Sequence, residues 1–171
     1  MEVAVSVKHL CFSYENAPEP AVQDVSFEME FGSYTAIAGV NGSGKSTTAR
    51  IIAGLLQPSG GTVKIASGLK TGFVFQSPKD QLICGVIARD TAFGPQCQSI
   101  PASEIELRTI ESLKAPGILD YAMHKSMVLS LGQTQKAALS GILAINPDIL
   151  ILDESVSMLD PKSREEICRL L

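Results

Sequence analysis

Hydrophobic and polar residues alternate over residues 3–7 and again over 22–28, the period-two pattern of half-buried strands. A turn-rich stretch with Pro18 and Pro20 separates them. Residues 34–39 (YTAIAG) read as a buried strand running into a glycine-rich loop. Residues 45–56 fit a helix stopped by Pro58 and the Gly60-Gly61 turn. Two more strands are predicted at 62–65 and 71–75. The pattern then changes character. Residues 81–90 and 104–113 read as helices, with Pro95 and Pro101 punctuating the loop between them and Pro116-Gly117 breaking the second. A further helix spans 133–145 and closes at Asn146-Pro147, residues 149–152 (ILIL) form a short apolar strand, and Pro161 opens a last helix. Strands alternating with helices, interrupted by a mainly helical insert, predict an α/β sheet protein.

Composition narrows this picture only a little. The 171 residues suffice for one sizeable domain or a core with a small insertion. With 45% hydrophobic and 19% charged residues the chain resembles an ordinary soluble globular protein. Its net charge of −4 argues against a nucleic-acid partner held through phosphates. Cys11, Cys84, Cys97 and Cys168 are far apart and form no CxxC, so reduced thiols are expected rather than a zinc site or disulfide framework. No basic stretch precedes an apolar run at the N-terminus, so no signal peptide is predicted. The longest apolar stretches, 51–56 and 149–152, are too short to span a bilayer, and any membrane role is expected to come through a partner.

Chemistry enters at residues 39–46, GVNGSGKS, which fit the phosphate-loop pattern GxxxxGK[ST] at every fixed position. The glycines permit backbone conformations closed to other residues. Successive N–H groups of Asn41, Gly42, Ser43 and Gly44 are thus expected to converge on phosphate oxygens. Lys45 adds charge near the β- and γ-phosphates, Ser46 offers a hydroxyl to Mg²⁺, and the following helix contributes the positive end of its dipole. ATP is the expected ligand, with Thr47 reaching its α-phosphate. A second site lies at Asp153-Glu154, at the carboxyl end of an apolar strand, where open α/β sheets bind ligands. Asp153 is expected to hold Mg²⁺ through water and Glu154 to polarise a water for attack on the γ-phosphate. The bland alternative is a solvated acidic pair.

With both sites in view, the sequence resembles the nucleotide-binding domain of ABC ATPases over essentially its whole length. The resemblance implies a P-loop NTPase core with an N-terminal antiparallel β-subdomain and an inserted helical subdomain. Residues 1–77 and 141–171 would make the core and β-subdomain, and 78–140 the helical subdomain. Tyr14 stands where that family stacks an aromatic residue on adenine. Gln76 stands where the Q-loop glutamine approaches Mg²⁺ and the attacking water. Residues 129–133, LSLGQ, resemble the LSGGQ signature, so Ser130, Gly132 and Gln133 would cap the γ-phosphate of ATP on the opposite subunit. Ser130 and Gln133 also make an S-x-x-Q capping box, and both readings can hold. Residues 157–160, SMLD, resemble the D-loop at the dimer interface, while Asp160 before Pro161 is equally a plain N-cap. Residues 76–83, QSPKDQLI, with AFGP at 92–95, are similar to the energy-coupling factor and cobalt-type ATPases, importers of vitamins and transition metals.

The resemblance implies a second ATPase subunit, identical or paralogous, together with a transmembrane coupling protein docked on residues 76–95 and a substrate-binding membrane component. It also implies a place on the cytoplasmic face of the membrane, with no nucleic acid bound. Three departures qualify it. Leu131 replaces the first glycine of the signature and hints at an asymmetric pair. Lys136 replaces a common arginine, keeping the charge without the planar fork. The family's switch histidine would lie beyond Leu171, and His9 and His124 both precede Asp153. A core cut short at its C-terminus, with weak or no turnover, is therefore expected. Two rivals stand beside this reading: a soluble ABC ATPase acting on ribosomes or DNA, and a nucleotide-binding module without catalysis.

Overall fold

The alternation at the N-terminus continues past residue 7, but its parity slips. Val5 and Val7 are buried, and so is Leu10, because His9 takes φ 50° and the ladder register shifts between Val7 and Leu10. A bulge of this kind moves later side chains to the other face, which hides the rest of the strand from a period-two search. Strand β1 thus runs Val3–Phe12, twice the predicted length. It pairs antiparallel with β2 (Val22–Glu30) on one side and β3 (Gly60–Ile65) on the other. Helix α1 (Lys45–Ile52) is shorter than the predicted 45–56. Gly54 turns left-handed at φ 76°; its N–H donates to the Ile51 carbonyl and that of Leu55 to the Arg50 carbonyl. This paired six-to-one and five-to-two bonding ends the helix before Pro58.

The computed structural model describes residues 2–155 and 159–170. They divide into two compact units, Met1–Leu69 and Lys70–Leu171. The predicted strand at 34–39 does not form: residues 33–40 carry no regular structure, and Tyr34 and Val40 stand 83% and 79% exposed. A strand exists only through a neighbour's ladder, and none of the described strands pairs with this segment.

In the second unit β4 (Thr71–Val74) pairs parallel and in register with β5 (Ile149–Leu152), where the apolar pattern placed it. The predicted helix over 81–90 is a correction. A single 3-10 turn, Pro78–Asp80, is followed by a loop, and helix α2 runs Ile87–Cys97 instead. The carboxylate of Asp90 accepts from the N–H groups of Ile83 and Cys84, both at 2.7 Å, and so holds the loop open. Pro95, placed in a loop by the sequence, lies buried near the end of α2, where it forfeits only one helical bond. Helices α3 (Ala102–Lys114), α4 (Leu131–Ala144) and α5 (Pro161–Leu170) follow.

Helix α4 serves two cores. Leu139 packs with Val74, Leu159 and Ile167, whereas Ala137 packs with Ile87, Leu113 and Ile118. Among the described residues no helix is long and apolar enough to cross a membrane. An antiparallel sheet, a parallel pair and intervening helices make a mixed α/β protein, as expected.

Candidate functional site

The first unit carries the phosphate loop. Gly42 and Gly44 are both left-handed, at φ 80° and 82°, and a Cβ on Gly44 would run into the Ala21 carbonyl oxygen. Only glycine fits there. Lys45 folds back so that Nζ donates to the carbonyls of Gly39 and Val40, each at 3.0 Å, which fastens the loop around the start of α1. Gly44, the N-cap, supplies no side chain, and no acidic residue stands in the first turn of α1. No side chain therefore caps the helix, and the positive end of its dipole stands at the loop. Thr47 is buried within this first turn, and its Oγ1 lies 3.1 Å from the hydroxyl of Tyr14. The Tyr14 ring packs edge-on against Phe12, with centroids 4.9 Å apart, and remains 43% exposed. Tyr14 and Thr47, expected separately at the adenine and at the α-phosphate, thus share one contact. Asn41, Ser43 and Ser46 lie on the same loop and helix start, Asn41 exposed.

The second unit carries the carboxylates. Asp153 is 6% exposed and follows β5, its N–H donating to the Val74 carbonyl at 3.0 Å. Glu154 is exposed and left-handed, φ 49°, an unfavourable conformation for a residue with a side chain. Across the parallel pair, Gln76 leaves the end of β4 and its Nε2 donates to Glu154 Oε2 at 3.1 Å. The β4–β5 register therefore brings Gln76 to Glu154 over a sequence separation of 78 residues.

The signature-like residues begin α4. The Ser130 N–H donates to Gln133 Oε1 at 2.9 Å and the Gln133 N–H to Ser130 Oγ at 3.3 Å, the capping box the spacing predicts. Gly132 follows within the first turn, and Leu131 is 41% exposed. Lys136, one turn on, pairs through Nζ with Glu166 of α5 at 3.1 Å. Asp160 caps α5, accepting the Ser163 N–H at 3.1 Å. Hydrogen bonds from the Ser163 side chain and backbone hold its carboxyl below the usual carboxylate range. Ser157 and Met158 of the D-loop-like stretch lie outside the described residues.

A glycine cradle with a lysine folded across it, and a strand-end Asp-Glu pair touched by a glutamine, sit in a sequence whose residues 22–157 match the profile of the ABC transporter family. The chain belongs to that family. This ABC domain is 40% identical to the energy-coupling factor transporter ATP-binding protein EcfA1 of Lactobacillus delbrueckii subsp. bulgaricus, over 98% of its own length and 64% of the relative's. It thus spans less than two thirds of that protein. Among solved structures it superimposes with a TM-score of 0.85 on cbiO1 from Clostridium perfringens, part of the ABC transporter complex cbiONQ. Identity there is 31%, over 99% of this chain and 72% of that one. A dimeric ATP-binding cassette in a post-hydrolysis state, bound to ADP and Pi, gives a TM-score of 0.87 at 30% identity, covering 97% and 80%.

Some contacts in the ABC domain were not legible beforehand. Asp90, which shapes the loop after Gln76, carries no motif of its own. Ser155 and Gln135 are both 3% exposed, and their Oγ and Nε2 find no partner among the described residues, although both line one small gap beside Val74 and Leu139. Only the fold brings such groups together.

Proposed function

We propose that this chain is the ATP-binding and ATP-hydrolysing subunit that energises an energy-coupling factor type ABC importer of a vitamin or transition-metal ion. The observation carrying this reading is the phosphate loop: a glycine-bounded turn, an uncapped helix start and a lysine folded over two loop carbonyls. Lys45 would exchange its carbonyl bonds for phosphate oxygens, and the N–H groups of residues 41–46 would bind the rest. Thr47 would reach the α-phosphate, and Tyr14 would offer its half-exposed ring to adenine. Glu154 would take the proton of the attacking water, with Gln76 orienting its carboxylate through the bond already present.

The donors proposed for Mg²⁺ are the Ser46 hydroxyl, the Gln76 carboxamide oxygen and the Asp153 carboxylate, an all-oxygen set suited to a hard cation. Because Gln76 Nε2 is committed to Glu154, its oxygen is the atom left to offer. When bound, Mg²⁺ would neutralise phosphate charge. In this reading Ser130, Gly132, Gln133 and Asp160 face the nucleotide of a second ATPase subunit. Residues 78–140 form the helical subdomain, and residues 76–95 dock a transmembrane coupling protein at the cytoplasmic face of the membrane. A separate membrane component would select the cargo. The names of the relatives in transporter complexes support these partners.

The test is calorimetry with Mg-ATP alongside a turnover assay. Lys45→Ala is expected to abolish measurable binding in a folded chain. In a protein of the relatives' full length, Glu154→Gln is expected to keep binding and lower hydrolysis at least about a hundredfold. Equal binding by the wild type and Lys45→Ala would refute the phosphate loop, and binding without any turnover, even in a protein of the relatives' full length, would leave a nucleotide-binding module.

A further inference from the structure

Strand β4 ends at Val74, whose carbonyl is taken by the N–H of Asp153, and β5 ends at Leu152. The next amide, that of Phe75, is half-buried and beyond the ladder. Its partner is a side chain: Gln81 Oε1 accepts the Phe75 N–H at 3.1 Å. The other end of the same carboxamide, Nε2, donates to the Ala138 carbonyl in the middle of α4 at 3.2 Å. The residue after Phe75 is Gln76, which touches Glu154.

One carboxamide therefore joins the backbone just before Gln76 to the helix that the Ser130–Gln133 box begins. The task needs an acceptor and a donor on one planar group at glutamine's reach. Asparagine is shorter by a methylene, glutamate lacks the donor, and lysine lacks the acceptor. Gln81 gains its place from the Pro78–Asp80 turn, which directs the chain back toward α4.

We propose that Gln81 is a positioning residue. By tying the Phe75 amide to α4, it holds the Gln76 carboxamide in line with Glu154, so that the setting of Glu154 depends on where the start of the signature helix lies. The inference rests on the ATPase reading above and adds to it a residue that touches neither nucleotide nor Glu154. A buried or half-buried amide that loses its only acceptor is exposed to exchange, and a misdirected catalytic group lowers turnover more than substrate affinity.

The test uses the full chain with Gln81→Met, which keeps length and loses both polar ends, and Gln81→Glu, which keeps the acceptor and loses the donor. Amide exchange at Phe75 is read by NMR, together with kcat and KM for ATP. In Gln81→Met the Phe75 amide is expected to exchange at least about tenfold faster, with kcat about tenfold lower and KM within about twofold. In Gln81→Glu the Phe75 amide is expected to stay protected while kcat falls as in the methionine variant. A folded Gln81→Met protein with wild-type exchange at Phe75, or with wild-type kcat, overturns the proposal. Should Gln81→Met fail to fold, a wild-type kcat in Gln81→Glu overturns it equally. Absence of turnover in the wild type, even in a protein of the relatives' full length, would instead sink the ATPase reading. Phe75 exchange alone then decides the clamp: protection lost in the methionine variant and kept in the glutamate variant supports it, and equal protection in all three refutes it.

Discussion

Asp160 shows how much one side chain contributes by local chemistry. Its carboxylate accepts the Ser163 N–H, and hydrogen bonds from the Ser163 side chain and then its backbone hold the carboxyl below the usual range. A group whose folded pKa is depressed stabilises the protein fully above the unfolded value of about 3.9, and the benefit fades as pH falls through the lower folded value. Asp160→Ala is therefore expected to lower the urea midpoint near neutral pH, with the gap to wild type narrowing in acid. A gap independent of pH would show that the carboxylate charge plays no part. The cap was readable from Asp160-Pro161, because an N-cap involves only the four consecutive residues from Asp160 to Ser163 and nothing distant. Gln76 is different. As a single glutamine after a strand it says little, and its value comes from Glu154, which the parallel β4–β5 register sets beside it.

At the scale of elements, legibility followed how locally each one is determined. Strand β5 and the start of α4 agree closely with the sequence, one from four consecutive apolar residues and the other from its capping box. Ser130→Ala removes the acceptor of the Gln133 amide and is expected to destabilise the nucleotide-free chain by about 1 kcal/mol in urea unfolding. No change in the midpoint would mean that Ser130 does not cap α4. Elements set by competition were misread. The Asp90 carboxylate draws the N–H groups of Ile83 and Cys84 away from the helix that periodicity suggested. The parity slip at His9 concealed half of β1, and Gly54 cut α1 short although the following residues remain apolar.

For the molecule as a whole, the ABC reading predicts ligand linkage. A nucleotide that binds only the folded chain adds RT ln(1 + [L]/Kd), about 2.7 kcal/mol at a hundredfold excess over Kd. Mg-ATP is therefore expected to raise the melting temperature of the wild type in a concentration-dependent way and to leave Lys45→Ala unmoved. A shift of equal size in both would place the binding elsewhere. The sequence alone determined the family and the α/β class, through short motifs and the succession of strand and helix patterns. It also located the phosphate loop and the Asp153-Glu154 pair, because each of these is written in adjacent residues whose backbone freedom, charge and spacing act locally. Tertiary structure alone decided that residues 34–39 form no strand, that Tyr14 meets Thr47, that Gln76 meets Glu154, and that Gln81 bridges Phe75 to Ala138. Those outcomes turn on which distant backbone or side chain supplies a hydrogen-bond partner, and a ladder or a carboxamide finds its partner only once the chain has folded.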